Sequence, residues 1–396
     1  PCHVYGLDFG SRALQMLEVL PHVGSIVPGA DHERVVRLIS WLRQLVEDRK
    51  IRYSAVNAGT VTEFRSRAGQ PDEPRILLML DNVGAFRQAY ETTDRQRYVD
   101  MLTAIASEGR GVGVHLCVAS SERAGIHTTL SSAIQRRIVL RMPTEDDYSL
   151  LGVPVDVLDT HSVPGRGVDH EIEIQVGVLG EQQDDAYQAE RIRDMAAALS
   201  AAGVSQAPPI RSLAQAVTLR DIGRAAQEVT IGLASSSLAP IGVDARGGFL
   251  ITGPPGSGRT STLLSLIDSV RRSIPGARLH YFGSRRSMIG SLPVWESTAF
   301  TVDDIVERAK VLESQIVGAV PGERFVVMAE GAGDLVMSAA EPQLQALVKA
   351  CASYDQWFIA EGEVSTLKSA QGFLGLVKSS RRGLALQPDQ ETGSFF

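Results

Sequence analysis

Three cysteines, Cys2, Cys117 and Cys351, stand far apart in 396 residues. An odd, scattered set of this kind argues against a disulfide framework and against a C-x-x-C metal site, and it fits a reducing compartment. Packing is the expected role of all three. No run of eighteen apolar residues occurs, so no membrane span is expected, although the chain can still be the soluble part of an anchored protein. A basic surplus is missing too. Lys plus Arg is 39 against 46 for Asp plus Glu, a formal charge of -7, which speaks against a nucleic-acid surface as the chain's overall character. Nothing at the start resembles a secretory leader, and Pro1 opens on an apolar segment already under way, which reads as a cut and not as a gene start.

What is present is a globular composition, 44% apolar and 21% charged, in a chain too long for one ordinary core at roughly 150 residues per domain. Short apolar runs alternate with longer stretches of helical period, the pattern of a mostly parallel sheet covered by helices. Strands are expected at 4–8, 76–81, 114–120, 138–142 and 170–179, with helices over 31–48, 94–108, 129–135 and 185–202. The turn-rich Gln206-Ala-Pro-Pro-Ile stretch then marks a boundary. A second series has strands at 249–252, 278–282, 325–330, 357–361 and 383–387, and helices over 260–273 and 302–317. The expected division is a domain over 1–205, a linker over 206–228 and a second domain over 229–396.

The two halves repeat each other in order. His3-Val-Tyr-Gly matches His280-Tyr-Phe-Gly, Leu20-Pro21 matches Leu292-Pro293, and Ile76-Leu-Leu-Met-Leu-Asp81 matches Phe325-Val-Val-Met-Ala-Glu330. Gly84 then pairs with Gly333, the strand at His115 with that at Trp357, and Arg136-Arg137 with Arg381-Arg382. On this reading the first half is a domain without its opening strand, phosphate loop and first helix.

The chemistry sits in Gly253, Pro254, Pro255, Gly256, Ser257, Gly258, Arg259 and Thr260, with Ser261 following. Against G-x-x-x-x-G-K-S/T the match fails at one place, where Arg259 replaces lysine, and the strand before and helix after are the required context. Glycines let successive N–H groups point at phosphate oxygens, the helix start adds partial positive charge, and Thr260 offers a hydroxyl to Mg²⁺. ATP with Mg²⁺ is the expected ligand. Arginine is planar and forked where lysine is a compact point charge, so slow hydrolysis is expected.

A strand-end acid completes such a site by holding the metal's water shell, and Asp81 and Glu330 occupy that place in the two halves. The next residue would be a second acid in an efficient ATPase; here it is Asn82 and Gly331, so neither half has an evident general base. The paired arginines read as solvated basic turns sooner than as fingers on a phosphate, and His22 and His115 read as structural.

These residues resemble the FtsK/SpoIIIE-type ATPases, and among them the multi-ATPase EccC proteins of type VII secretion. The resemblance rests on Leu20-Pro-His-Val-Gly24 with Asp31-His-Glu-Arg-Val, on Leu7-Asp8-Phe9-Gly10, on Pro164-Gly-Arg-Gly167 and on Ile241-Gly-Val-Asp244. It implies two tandem RecA-like P-loop NTPase domains, α/β with mostly parallel sheets, and a chain similar to the last two ATPase domains, with final strands missing after Phe396. It further implies cytoplasmic domains of a membrane-anchored protein, other secretion-system membrane components as partners, a hexamer through the full-length protein, and no nucleic acid. In that family the last domain binds the C-terminal signal peptide of a secreted helical-hairpin, EsxB-like substrate. An apolar groove beside the helix at 302–317 is the expected receiver, with Trp295, Val302, Ile305, Val306, Ala309 and Leu312 as candidates, although a helix covering a sheet needs most of that stripe for its own core. Three functions stay open at this point: a weakly hydrolysing recognition and control module, an active hexameric ATPase, or a DNA translocase.

Overall fold

A computed structural model describes the chain except residues 93, 123–124, 155–156, 171, 368–370 and 389–396. It divides into two compact units, Pro1–Leu213 and Ala214–Phe396.

The first unit runs β1 (Cys2–Asp8), β2 (Val23–Pro28), α1 (His32–Ala55), α2 (Val61–Arg67), β3 (Arg75–Asp81), α3 (Val83–Tyr90), α4 (Gln96–Glu108) and β4 (Val114–Val118). It continues with α5 (Thr128–Ala133), β5 (Ile138–Val139), α6 (Glu145–Leu151), β6 (Arg166–Asp169), β7 (Ile172–Gln175) and α7 (Asp185–Ala201). Helix starts are set locally: Asp31 accepts the Arg34 N–H ahead of α1, and Thr60 accepts the Glu63 N–H ahead of α2, each satisfying a donor that has no intrahelical partner. Four strands form a parallel sheet in the order β2-β1-β3-β4. Its core joins Leu7, Val27, Leu38, Leu42, Ile76 and Leu78, each essentially buried, and each worth roughly 1.5–3 kcal/mol of hydrophobic stabilisation.

The second unit runs β8 (Val229–Leu233), β9 (Pro240–Val243), β10 (Gly247–Thr252), α8 (Arg259–Ser273), β11 (Arg278–Phe282), β12 (Ser297–Ala299) and α9 (Val302–Val317). There follow β13 (Phe325–Ala329), α10 (Glu341–Ser353), β14 (Trp357–Gly362), α11 (Val364–Leu367), α12 (Gly372–Ser379) and β15 (Gly383–Ala385). Its parallel sheet has the order β12-β11-β13-β14-β10-β15. The first four places repeat the first unit's order strand for strand. Asp81 closes β3 and Glu330 follows β13, the third strand in each order, which is the arrangement that the sequence matches require.

The difference between the sheets lies beyond the fourth strand. In the second unit β14 has β13 and β10 on either side and is buried throughout. Its counterpart β4 pairs with β3 alone among the described residues and alternates between buried and exposed positions. That explains one correction. The expected strand at 138–142 does not join the parallel sheet; only Ile138 and Val139 are extended, and they pair antiparallel with β6 in a small separate sheet. In the second unit β15 docks on β10, and among the described residues the first unit has no such strand beside β4. The strand expected at 170–179 is likewise shorter: residues 172–175 form the second arm of a hairpin with β6, and residue 171 lies outside the described residues. Strand β2 was not expected, because Gly24, Ser25 and Pro28 break its apolar run.

Residues 207–213, expected in the linker, pack on the first unit. Tyr5 donates to the Pro208 carbonyl at 3.0 Å, the Ile210 N–H donates to Ser25 Oγ at 3.0 Å, and Ala207 and Ile210 are buried. Of the cysteines only Cys351 packs inside, where burial pushes its thiol pKa up; Cys2 and Cys117 are exposed, Cys117 because β4 is half-open. No helix among the described residues is long and apolar enough to cross a membrane.

Candidate nucleotide site

The phosphate loop leaves the buried end of β10 and turns into α8. Gly258 caps that helix at φ 97° and Gly256 stands at φ 78°, conformations that a side chain penalises. The first N–H groups of α8 have no carbonyl one turn back, and Ser257 Oγ is buried without a partner. An orphaned hydroxyl beside helix-end donors fits a phosphate.

A cleft of about 930 Å³ opens at this end of the sheet and brings Thr260 of α8 together with Glu330. Such a hydroxyl and carboxylate suit a hydrated divalent cation, which prefers hard oxygen ligands and keeps several waters. Among the described residues no three His, Cys, Asp or Glu side chains converge as a metal site, so a cation here would draw on the oxygens of the bound ligand. Tyr281 donates to Glu330 Oε2 at 2.5 Å, which fixes the carboxylate, and burial raises the pKa of the phenol.

The sequence reading missed the partner of Arg259. Its Nη1 lies 2.8 Å from Glu361 Oε1 and its Nη2 lies 3.3 Å from Glu363 Oε1. Glu361 sits on β14, between the loop strand and the acidic strand, and is 6% exposed. Its Oε2 accepts the Gly331 N–H at 3.0 Å. Burial holds its pKa above the usual carboxylate range, opposed by the Gly331 N–H and by Arg259. A signal existed: one acid ending the apolar run Trp357-Phe-Ile-Ala, the same logic that singled out Asp81 and Glu330.

The missing second acids have a backbone reason. Asn82 is at φ 56° and Gly331 at φ 65°, both left-handed and both starting a helical turn. Asn and Gly tolerate that region better than most residues, and Asn82 Oδ1 also accepts the Ala85 N–H.

In the first unit Asp81 stands beside Asp8 at the same register of paired strands. Asp8 Oδ1 accepts the N–H groups of Gly10 and Arg12 while its Oδ2 is buried without a partner. Desolvation, and then the Asp8 charge, raise the pKa of Asp81. Three of the four paired arginines are engaged within their own units: Arg136 bonds Asp169, Arg137 donates to Ser131 Oγ, and Arg382 donates to the carbonyls of Asp244 and Arg246.

The expected peptide residues divide. Ile305, Ala309 and Leu312 are in the core of the second unit, packed with Phe325 and Leu344, because a helix that covers a sheet turns its apolar stripe inward. As they stand, Ala309 and Leu312 cannot face a groove. Val306 is half-buried, Val302 is 37% exposed, and Val302 and Ile305 reach the wall of the cleft with Phe300. Trp295 is not on an exposed apolar loop. Its indole N–H donates to the Ile289 carbonyl at 2.7 Å and its ring packs on Tyr281.

Residues 2–155 match the FtsK/SpoIIIE family. The chain is 26% identical over 307 residues to the ESX secretion system protein EccC of Thermomonospora curvata, covering 72% of this chain and 22% of that protein. It is 24% identical over 367 residues to the ESX-5 secretion system protein EccC5 of Mycobacterium tuberculosis, covering 80% and 26%. The chain therefore spans about a quarter of the length of these relatives. Among solved structures, ATPases 2 and 3 of T. curvata EccC in complex with a signal sequence peptide superpose with a TM-score of 0.73 at 19% identity, covering 99% of this chain and 76% of that one. ATPases 2 and 3 of EssC from Geobacillus thermodenitrificans give 0.73 at 16% identity, covering 100% and 79%. The fold is thus that of tandem P-loop ATPase domains. Residues 2–155 match the FtsK/SpoIIIE family, and the chain as a whole is similar to the EccC secretion ATPases in sequence and in fold.

Proposed function

We propose that this chain is a nucleotide-binding, weakly hydrolysing module of a type VII secretion ATPase, which recognises the signal segment of a secreted helical-hairpin protein and regulates an active ATPase domain elsewhere in the same protein. The observation that carries the reading is a cleft of the second unit, where Thr260 and Glu330 meet an apolar wall of Phe300, Val302 and Ile305. The loop from Gly253 to Ser261 takes the phosphates of ATP, and Thr260 and Glu330 hold the water shell of Mg²⁺. Slow turnover follows from Gly331, which leaves no base beside Glu330 to take a proton from water. The first unit, read as a domain over 1–205 without a loop of its own, keeps Asp81 in the corresponding place. The two units are read as cytoplasmic domains of a membrane-anchored protein.

Isothermal titration with ATP and Mg²⁺, followed by a phosphate-release assay, tests the nucleotide part; turnover of roughly 1 s⁻¹ or above would assign an active motor instead. Titration of a labelled C-terminal segment of a secreted helical-hairpin protein tests the recognition part, and no binding removes recognition from this chain.

A further inference from the structure

Arg259 occupies the place where a phosphate loop supplies its positive charge, and both ends of its guanidinium fork are already engaged by carboxylates. Carboxylate and phosphate are interchangeable acceptors for such a fork. A phosphate entering the loop therefore competes with Glu361 for Arg259. If Arg259 leaves, Glu361 remains 6% exposed with the Gly331 N–H as its remaining hydrogen bond, and a buried carboxylate deprived of its counter-charge is strongly disfavoured. The cleft as a whole sharpens this conflict: two arginines, Arg259 and Arg286, line it together with four acids, Glu330, Asp334, Glu361 and Glu363. A bare polyanion meets net negative charge there.

We infer that Arg259 at the start of α8 and Glu361 near the end of β14 form a latch that keeps the phosphate loop shut, and that a nucleotide opens it only together with a divalent cation. This rests on the nucleotide-binding reading above. The nucleotide supplies the oxyanion that replaces Glu361 on the guanidinium, and the cation supplies the positive charge that Glu361 loses. Glu361 is accordingly the residue that sets the site's selectivity for a metal-bound over a free nucleotide. Glu363, with a side chain 43% exposed, steadies the fork but suffers little on release.

The test is titration of the 396-residue chain with ATP, with and without Mg²⁺, in the wild type and in the Glu361→Gln, Glu363→Gln and Arg259→Lys variants, each checked for folding by circular dichroism. Glu361→Gln keeps an oxygen for the Gly331 N–H and removes the competing charge. It is expected to bind ATP about tenfold tighter or more, the scale on which loss of one partner of a buried charge pair moves an equilibrium, and to lose most of the Mg²⁺ requirement. Arg259→Lys, whose ammonium cannot span both acids, is expected to move the same way, and Glu363→Gln to change affinity by less than about threefold. Binding by Glu361→Gln where the wild type is silent supports the latch. Wild-type binding with no gain in folded Glu361→Gln or Arg259→Lys overturns the latch and leaves the nucleotide reading standing. No binding by any folded variant overturns both.

Discussion

Asp8 and Asp81 end neighbouring parallel strands directly opposite one another, and Asp8 keeps one carboxylate oxygen buried and unpartnered. The pKa of Asp81 is raised, first by desolvation and then by the charge of Asp8. A carboxyl whose folded pKa exceeds its unfolded value contributes stability that is present below the unfolded pKa and lost as pH rises through the folded one. Asp81→Asn should therefore raise the urea midpoint of the first unit at neutral pH by an amount worth less than about 1 kcal/mol, since the site is partly solvated. The gain should vanish as pH falls to the ordinary carboxyl range. A lowered midpoint at pH 7 would show that the contacts of the Asp81 carboxylate contribute more than its desolvation costs.

His280 is 1% exposed, bonded through Nδ1 to Ser297 Oγ at 2.8 Å and stacked on Phe325. Burial lowers its pKa to about 4. A base with a depressed folded pKa contributes stability that is complete above about 6.5 and lost as pH falls toward the folded value. The second unit should lose on the order of 3 kcal/mol between pH 7 and pH 4 from this group. Urea midpoints across that range, compared with those of His280→Gln, isolate the imidazole's contribution; equal slopes in both proteins would remove His280 from the acid response.

Gly253 is the loop residue with no room. A Cβ there would lie 2.4 Å from Ser257 Oγ and 2.9 Å from the Leu386 carbonyl oxygen. Gly253→Ala should cost about 1–3 kcal/mol, as overpacking does, and weaken ATP binding by displacing the loop. Thermal melts and titration read the two effects separately.

The two faces of α9 separate stability from recognition. Leu312 is fully buried, and Leu312→Ala should cost about 2–5 kcal/mol. Val302 is at the exposed start of the helix, so Val302→Asp should change stability by less than about 0.5 kcal/mol and weaken a bound signal segment. Fluorescence polarisation with the labelled segment decides, and unchanged affinity in folded Val302→Asp moves the peptide away from this wall.

Much of the frame was legible along the chain. The helix over 302–317 and the strand over 278–282 stand at their expected bounds, the helix because Thr301 and Asp304 form a capping box. Strand β2 did not show, since its neighbours and not its composition hold it extended, and the short β5 left the parallel sheet for want of a strand to pair with. Likewise the apolar stripe of α9 has one spacing whether it faces a core or a groove, and burial alone distinguishes them.

The sequence by itself determined the phosphate loop, the strand-end acids and their repetition, because a loop of glycines between a strand and a helix, and an acid closing an apolar run, are local patterns with local causes. The tertiary structure decided what those residues touch. Arg259 and Glu361 are separated by about a hundred positions along the chain, and only the placing of β14 between the loop strand and the acidic strand brings guanidinium and carboxylate together. Strand order is a property of the whole sheet, set by where every other strand finds its partner, and no single stretch of sequence carries it.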